Sequence, residues 1–113
     1  MSVNKVILIG NLTRDPEARG TACAFGLATN ETWTDKAGQK QERTEFHNIK
    51  AFGRLAEICM SYLKKGREVY VEGKLSYDSY EKDGVTKYTT EIVIQNMNFI
   101  GSVPASQVTD NEF

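Results

Sequence analysis

The order of apolar and polar residues along the chain predicts a protein built mainly from β-strands. Residues 3–12 form a nearly unbroken apolar run rich in β-branched side chains, which is typical of a strand covered on both faces. A second strand is predicted over residues 22–33, where larger side chains alternate with Ala24, Gly26 and Ala28. These small residues leave one side of the second strand open to close approach.

The third predicted strand, residues 44–52, carries two faces of different character, because successive side chains of a strand point to opposite sides. One face is core-like and holds His47, Ile49 and Ala51. The other face is aromatic and polar, and its members are Phe46, Asn48, Lys50 and Phe52. The pattern therefore predicts a core on one side of this strand and a functional surface on the other.

One short helix and a long hairpin complete the pattern. Apolar residues at helical spacing predict a helix over residues 55–63, with two lysines in its last turn and Gly66 as its stop. Strand four follows over residues 68–80 with Gly73 as a possible bulge, then a turn at residues 82–84 and strand five over residues 86–99. This order predicts an all-β protein, the five-stranded Greek-key barrel called the OB-fold, which commonly binds single-stranded nucleic acid.

Composition narrows the function classes. The chain has 113 residues, enough for one domain. Its 14 basic and 15 acidic residues argue against a protein that binds a polyanion through net charge alone. Two cysteines and one histidine exclude an ordinary four-ligand zinc site in one subunit, and we expect no metal or cofactor. With no phosphate-loop motif, membrane-spanning run or signal peptide, the sequence predicts a cytoplasmic protein with no membrane partner.

Seven residues are candidates for a single-stranded nucleic-acid site. Four aromatic side chains fall at outward or loop-proximal positions, where bases could stack on them: Trp33, Phe46, Phe52 and Tyr80. Three cations close to them in sequence or on neighbouring strands would meet phosphates: Lys5, Lys50 and Arg54. The alternative is that the aromatic residues belong to the core or to a subunit interface.

Other residues that suggest chemistry have simpler interpretations. His47 lies on the core-like side of its strand with no nucleophile or paired carboxylate near it in sequence, which favours a buried or interface histidine. Tyr70, flanked in its row by Glu68 and Glu72, is either an anchor for a subunit contact or an isolated surface residue. Cys59 is a core residue of the helix, whereas Cys23 is a strand filler or an exposed thiol.

Five segments, in unbroken order over about residues 3–100, resemble the bacterial single-stranded DNA-binding protein (SSB) family: VNKVILIGNLTRDPEAR, LATNETWTD, TEFHNIKAFGRLAE, YLKKGREVYVEGKL and KYTTEIVI. The resemblance implies an OB-fold homotetramer, a dimer of dimers, that wraps single-stranded DNA. It matches Trp33 to the family's tryptophan in the loop-proximal part of strand two, and Phe46 to a position where relatives often have tryptophan. It matches Phe52 to a phenylalanine on the DNA face and Tyr80 to an aromatic residue that stacks on DNA. It also matches His47 to the subunit interface and Tyr70 to the contact between dimers.

Three features depart from the family pattern. The turn over residues 18–22 is shorter, and Ser76 and Asp78 stand where relatives often carry arginine. After the predicted domain of residues 1–101, a short, flexible and weakly acidic tail of residues 102–113 replaces the family's long Gly- and Gln-rich linker and strongly acidic tip. The resemblance implies that the tail's Asp110, Glu112 and Phe113 would recruit replication and repair proteins, and the shortened tip predicts that this recruitment is weak.

The sequence therefore predicts a non-catalytic protein. Its predicted function is to coat and protect single-stranded DNA, without strict sequence choice, during replication, recombination and repair. A primosome accessory or single-stranded RNA-binding protein of the same fold is the main alternative. A pure protein-interaction module is a further alternative, whereas a small enzyme lacks a set of nucleophile, base and orienting residue. The implied location is the bacterial cytoplasm, in association with the nucleoid.

Overall fold

Six strands and one helix follow one another in the computed structural model, which describes residues 1–100. In chain order they are β1 (Val6–Leu12), β2 (Glu17–Arg19), β3 (Ala22–Thr34), β4 (Lys40–Phe52), α1 (Gly53–Tyr62), β5 (Glu68–Lys82) and β6 (Val85–Phe99). No helix among these residues has the length and apolarity to cross a membrane.

The sheet closes on itself as a five-stranded barrel. Its strands lie in the order β1-β5-β6-β4-β3-β2, and β1 also pairs with β3 through Asn11 with Ala28 and Leu12 with Leu27. The β4–β6 pairing is parallel, whereas the other pairings are antiparallel. Closure leaves the barrel without a free edge along most of its length. The predicted OB-fold, with a helix before a long hairpin, is confirmed.

The short strand β2 is an addition to the predicted set. Residues 13–20 are polar and contain Asp15 and Pro16, so the sequence indicates only a loop. Instead, Glu17–Arg19 pairs with the start of β3, with Ala18 opposite Cys23. Because this strand is three residues long and fully exposed, it has no apolar alternation by which the sequence could reveal it.

The core fills the barrel and is closed at one end by α1. Its fully buried side chains come from strands on all sides and include Phe25, Leu27, Ile49, Val69, Val71 and Met97. The helix contributes Leu55, Ala56, Ile58 and Cys59 to the same cluster. It ends at Tyr62, so the two lysines predicted for its last turn lie beyond it.

Gly73 marks the irregularity predicted for β5. The register shifts between Glu72 and Gly73, so that Gly73 pairs with Ile94 while Glu72 pairs with Asn96, and Gln95 is the extra residue on β6. A Cβ on Gly73 would collide with the carbonyl oxygen of Val93 and lie 2.7 Å from the Cα of Ile94. Only glycine permits this close approach of two strands, which lets the sheet bend into a barrel.

Strand β1 is apolar on both faces, and a small barrel can cover only one of them. Its apolar run suggests coverage on both faces, yet Ile7 and Ile9 are each 54% exposed in the single chain. Leu12 is buried, and Val6 and Leu8 pack against the core. The barrel therefore covers one face of β1 and leaves a row of aliphatic side chains on the other.

Beyond Leu75, β5 and β6 leave the barrel as a two-stranded arm whose side chains are mostly exposed on both faces. The predicted turn joins them at Asp83 and Gly84, with φ of 53° and 77°. Two successive positive φ values are those of a type I′ turn, which matches the twist of a hairpin.

Candidate nucleic-acid interface

The outer wall of β3 and β4 combines aromatic and small residues. Directly opposite residues of an antiparallel pair share a face of the sheet. Over residues 46–52, the outward residues of β4 are therefore matched to small neighbours on β3: Phe46 to Ala28, Asn48 to Gly26, Lys50 to Ala24 and Phe52 to Ala22. We call this surface the aromatic face. Because these β3 residues are small, no large side chain on the neighbouring strand lies beside either phenylalanine ring.

Exposure separates the alternatives for the aromatic residues. Phe46 is 73% exposed and Phe52 50%, while Ile49 and Ala51 between them are buried. The predicted alternation of β4 is thus confirmed, and neither phenylalanine belongs to the core of the chain. Exposed aromatic rings of this kind present the π-faces on which bases stack.

Tyr80 and Trp33 lie at the outer ends of two ribbons that extend from the barrel. Tyr80, 50% exposed, is on the arm opposite Lys87, and strand alternation puts it on the same face of the arm as Glu91, which contacts Lys50 of the aromatic face. Trp33, 46% exposed, lies near the end of β3 opposite Gln41. Trp33 is an even number of residues from Leu27, so its side chain points to the same side of β3 as Leu27. The structure therefore does not bring Trp33 onto the strand face that carries Phe46.

The loop beside Trp33 is fixed by one aspartate. The Asp35 Oδ1 accepts hydrogen bonds from the backbone N–H groups of Ala37 and Gln39, each at 2.9 Å, and Oδ2 accepts one from the Gln41 Nε2 at 3.0 Å. These bonds, above all the one from the Gln39 backbone, lower the pKa of Asp35 because they favour its charged form. A fixed turn holds the end of the β3–β4 ribbon, and with it Trp33, in one geometry.

The three predicted cations occupy different surroundings. The Lys50 ammonium lies 3.2 Å from the Glu91 carboxylate of β6, and Arg54 lies in the first turn of α1, two residues after Phe52. Lys5 lies instead 2.9 Å from Glu72 of β5, on a different wall of the barrel from the aromatic face. The phosphate-binding role of Lys5 stays a prediction that this placement does not favour.

Two arginines that the sequence interpretation passed over lie at the aromatic face. Arg14 and Arg19 line a cleft of about 250 Å³ together with Lys50 and Glu91. The Arg14 guanidinium lies over Gly26, where an added Cβ would be 3.0 Å from its Nη1. In the sequence, the glycine at position 26 indicates close approach by another group, but only the folded chain shows that the Arg14 side chain is such a group.

Two tyrosines were also missed. Tyr77 and Tyr88 are 73% and 81% exposed and lie on the face of the arm opposite to Tyr80. Both alternate regularly with polar residues, but the sequence does not reveal that the hairpin leaves the barrel at this point and exposes both of its faces.

A second exposed surface lies on β1 and β5. Ile7 is opposite Glu72 and Ile9 is opposite Tyr70, and we call this surface the aliphatic face. The Tyr70 hydroxyl donates a hydrogen bond of 2.8 Å to one Glu72 oxygen, and the Lys5 ammonium contacts the other. The hydrogen bond from Lys5, then that from Tyr70, lowers the pKa of Glu72, while Glu72 raises the pKa of Tyr70.

His47 and the cysteines have structural surroundings. The His47 Nε2 is 2.9 Å from the Thr29 Oγ1 on the inward side of the sheet, and His47 is half-buried. Cys23 and Cys59 are both fully buried free thiols, so Cys23 fills the strand rather than exposing a thiol. Within residues 1–100 no three His, Cys, Asp or Glu side chains are grouped to hold a metal ion.

Comparison with known proteins places the chain in a family. The model of the single-strand binding protein family matches residues 3–100. The chain belongs to this family. It is 51% identical over 107 residues to single-stranded DNA-binding protein 1 of Chlorobaculum tepidum and, over the same length, to the single-stranded DNA-binding protein of Neisseria meningitidis serogroup A. These alignments cover 88% and 89% of this chain but 66% and 62% of the relatives, so the chain spans less than two thirds of their length.

Solved structures of the family have the same fold. A Plasmodium falciparum SSB in complex with single-stranded DNA superposes with a TM-score of 0.81 at 31% identity, covering 89% of this chain and 97% of the other. A deletion mutant of the single-stranded DNA binding protein from Thermus aquaticus gives 0.76 at 34% identity, covering 88% and 51%. The barrel, the helix and the arm are therefore those of an SSB domain.

The departures from the family pattern map onto the aromatic face and the arm. The short turn between β2 and β3 consists of Gly20 and Thr21, and Gly20 has a φ of 63°. Ser76 and Asp78 lie on the arm opposite Glu91 and Thr89, on the same face as Tyr80. The predicted tail residues Asp110, Glu112 and Phe113 lie outside the described residues.

Proposed function

We propose that this chain binds single-stranded DNA without strict sequence choice and coats it during replication, recombination and repair. The observation that carries the proposal is the aromatic face, where Phe46 and Phe52 stand exposed on a barrel wall whose opposite strand offers only alanine and glycine. Membership of the single-strand binding protein family, and the names of its relatives, support the same ligand.

Stacking supplies much of the affinity in this proposal. Every base has a π-face, and stacking on an aromatic side chain contributes about 1–3 kcal/mol per base whatever the sequence. Charge contributes less, because residues 102–113 hold two acidic and no basic residues, which leaves 14 basic against 13 acidic residues for the barrel domain. We expect affinity to fall only shallowly with rising salt for one subunit.

The direct experiment is a titration with oligo(dT) followed through Trp33, the chain's one tryptophan. We expect quenching with a stoichiometric end point, and quenching by oligo(U) only at higher concentration. Tighter binding of the RNA oligomer would favour the alternative of an RNA-binding protein. The absence of binding to either oligomer would contradict a nucleic-acid function and favour a protein-interaction module.

We assign the aliphatic face to assembly of a homotetramer, a dimer of dimers. Ile7 and Ile9 form an apolar row that one chain leaves uncovered, and Tyr70 offers apolar area together with a hydroxyl. His47, on another part of the barrel, keeps its predicted place at a subunit interface. Oligomers of one chain usually close with rotational symmetry, so the same patch of two copies would meet.

Three further parts of the proposal extend beyond the described residues or the barrel. The protein acts by binding rather than by catalysis, in the bacterial cytoplasm in association with the nucleoid. Residues 102–113 form a separate tail after the domain of residues 1–101. Through Asp110, Glu112 and Phe113 that tail recruits replication and repair proteins weakly, and deleting Asp110 to Phe113 should abolish their co-sedimentation while leaving DNA affinity nearly unchanged.

A further inference from the structure

The lining of the cleft at the aromatic face holds more cationic than anionic side chains. The cleft lies between the β2–β3 hairpin and β6 and encloses about 250 Å³. Its polar lining consists of Arg14, Arg19, Asn48, Lys50, Thr89 and Glu91. Arginine, lysine, asparagine and threonine side chains all donate hydrogen bonds to phosphate oxygens in nucleic-acid complexes. Glu91 is the one anion of this lining.

The charges of the cleft are not balanced. The Lys50 ammonium and the Glu91 carboxylate are 3.2 Å apart, with their side chains 26% and 21% exposed. Arg19 contacts Glu17 at 3.4 Å in an open, exposed pair. Arg14 forms no ion pair with any residue of the range 1–100. Three cations thus line the cleft with one carboxylate, and a further anion would be attracted there.

Arg14 is held in place by the fold. The Thr13 backbone N–H donates a hydrogen bond of 3.0 Å to the Gly26 carbonyl, which anchors the chain just before Arg14 against β3. Any side chain at Gly26 would collide with the Thr13 hydroxyl and come within 3.0 Å of the Arg14 guanidinium. The absent side chain at Gly26 therefore makes room for a planar donor group that suits a phosphate.

The cleft lies along the path that stacked bases would follow. Lys50 and Phe52 are two residues apart on the same face of β4, which is about 7 Å at the rise of a strand. A phosphate next to a base stacked on Phe52 is therefore within reach of the Lys50 ammonium. In the described structure the Glu91 carboxylate holds that ammonium.

We propose that the cleft is a phosphodiester site in which Glu91 takes the anion position until DNA binds. A phosphate of the DNA strand then replaces the Glu91 carboxylate at Lys50 and gains Arg14 as a second donor. Lys50 is paired in both states, so it adds little net affinity, whereas Arg14 gains a partner only on binding. This inference rests on the proposed function and adds to it a competing anion built into the site.

Oligo(dT) affinity measured over a range of salt concentrations tests the inference. Glu91→Gln removes the competing carboxylate, and we expect binding to tighten about three- to fivefold, the upper part of the range measured for exposed ion pairs. The slope of log affinity against log salt should steepen by ~0.7, the value for one more neutralised phosphate on a single strand. Arg14→Gln should weaken binding about tenfold, the loss of a hydrogen bond to a charged group, and should make the slope shallower.

Matched variants separate this exchange from a general charge effect. Glu68→Gln removes an exposed carboxylate at the far end of β5, and Lys64→Gln removes an exposed cation beyond α1. Neither should reproduce the effect of its counterpart in the cleft. When Glu91→Gln is combined with Lys50→Gln, the gain in oligo(dT) affinity should disappear. When Glu91→Gln is combined instead with Lys50→Arg, which keeps a cation at this position, the gain should return. Thermal melts of each variant show that it is folded.

The outcomes are distinct. If the parent protein does not bind oligo(dT), the proposed function and this inference both fail. If the parent binds and Glu91→Gln behaves like Glu68→Gln, only the competing-anion site is wrong. A gain from Glu91→Gln that persists without Lys50 would also overturn it, because Glu91 would then act by long-range repulsion alone.

Discussion

The two exposed walls of the barrel, the aromatic face and the aliphatic face, both place large apolar side chains in solvent but differ in everything around them. Phe46 and Phe52 stand opposite alanine and are interleaved with Asn48 and Lys50. Ile7 and Ile9 stand instead beside Tyr70 and Glu72, whose polar groups bond to each other and to Lys5. One wall offers rings and hydrogen-bond donors, and the other offers aliphatic area with its polar groups already paired.

The difference matters because burying a polar group without a partner is costly. The Lys5, Glu72 and Tyr70 cluster satisfies itself, so the aliphatic face can be covered by another copy of the chain without leaving an unpaired charge. The aromatic face keeps the Arg14 cation without an ion pair among residues 1–100, which suits a ligand that brings its own anions. The two surfaces are thus suited to different partners, nucleic acid and protein.

The largest expected effect is on stability and comes from Gly73→Ala. Gly73 lies on β5 between the aliphatic face and the arm. The new Cβ would collide with the Val93 carbonyl oxygen, so β5 and β6 would have to move apart. We expect a loss of about 3 kcal/mol in the free energy of unfolding, as for overpacking of a tight site. Urea denaturation measures it, with Ser76→Ala on the same strand as the control. A midpoint equal to that of the parent would show that the bulge tolerates a side chain.

Phe52→Ala and Trp33→Ala should act on DNA binding alone. Each removes one stacking surface, and the expected loss is about 1–3 kcal/mol in the free energy of oligo(dT) binding. Fluorescence anisotropy of a labelled oligomer provides the measurement, since Trp33→Ala removes the intrinsic probe. Met60→Ala, which truncates an exposed apolar residue on α1, serves as the control and should bind like the parent. Normal DNA binding by folded Phe52→Ala would contradict the aromatic face as the DNA site, and normal binding by folded Trp33→Ala would remove Trp33 from that site.

Tyr70→Arg should act on assembly alone. It inserts a charge into the aliphatic face, and we expect dimers in place of tetramers, at a cost of about 2 kcal/mol in association, as for a central interface residue. Light scattering at micromolar concentration gives the mass, and Tyr77→Arg, an exposed tyrosine of the arm, is the control. A parent protein that is already monomeric would refute the assignment of this face.

The smallest expected effect is the acid sensitivity of the aliphatic face. Because the folded state lowers the pKa of Glu72, its contribution to stability is complete above the ordinary carboxyl pKa of about 4.3 and is lost as the pH falls through the lowered value. Thermal melts between pH 7 and pH 3 should therefore show a steeper loss for the parent than for Glu72→Gln. Parallel curves for the two proteins would mean that the Lys5 and Tyr70 contacts do not persist in solution.

Much of the fold followed from local patterns. The alternation over residues 44–52, the apolar stripe of α1, the turn at residues 82–84 and the irregularity at Gly73 all depend on neighbouring residues and were predicted correctly. The exposed rings of Phe46 and Phe52 followed from the same alternation. Their role in binding DNA stays a prediction, as does the role of each other site residue.

The sequence alone determined five of the six strands, the helix and the family, because periodicity and motif spacing are properties of the chain in order. Only the tertiary structure decided which distant residues meet: that Arg14 lies over Gly26, that Glu91 holds Lys50, and that Lys5 joins Glu72 and Tyr70 rather than the aromatic face. Those contacts depend on strand register and on how the sheet closes, and a pattern of neighbouring residues fixes neither.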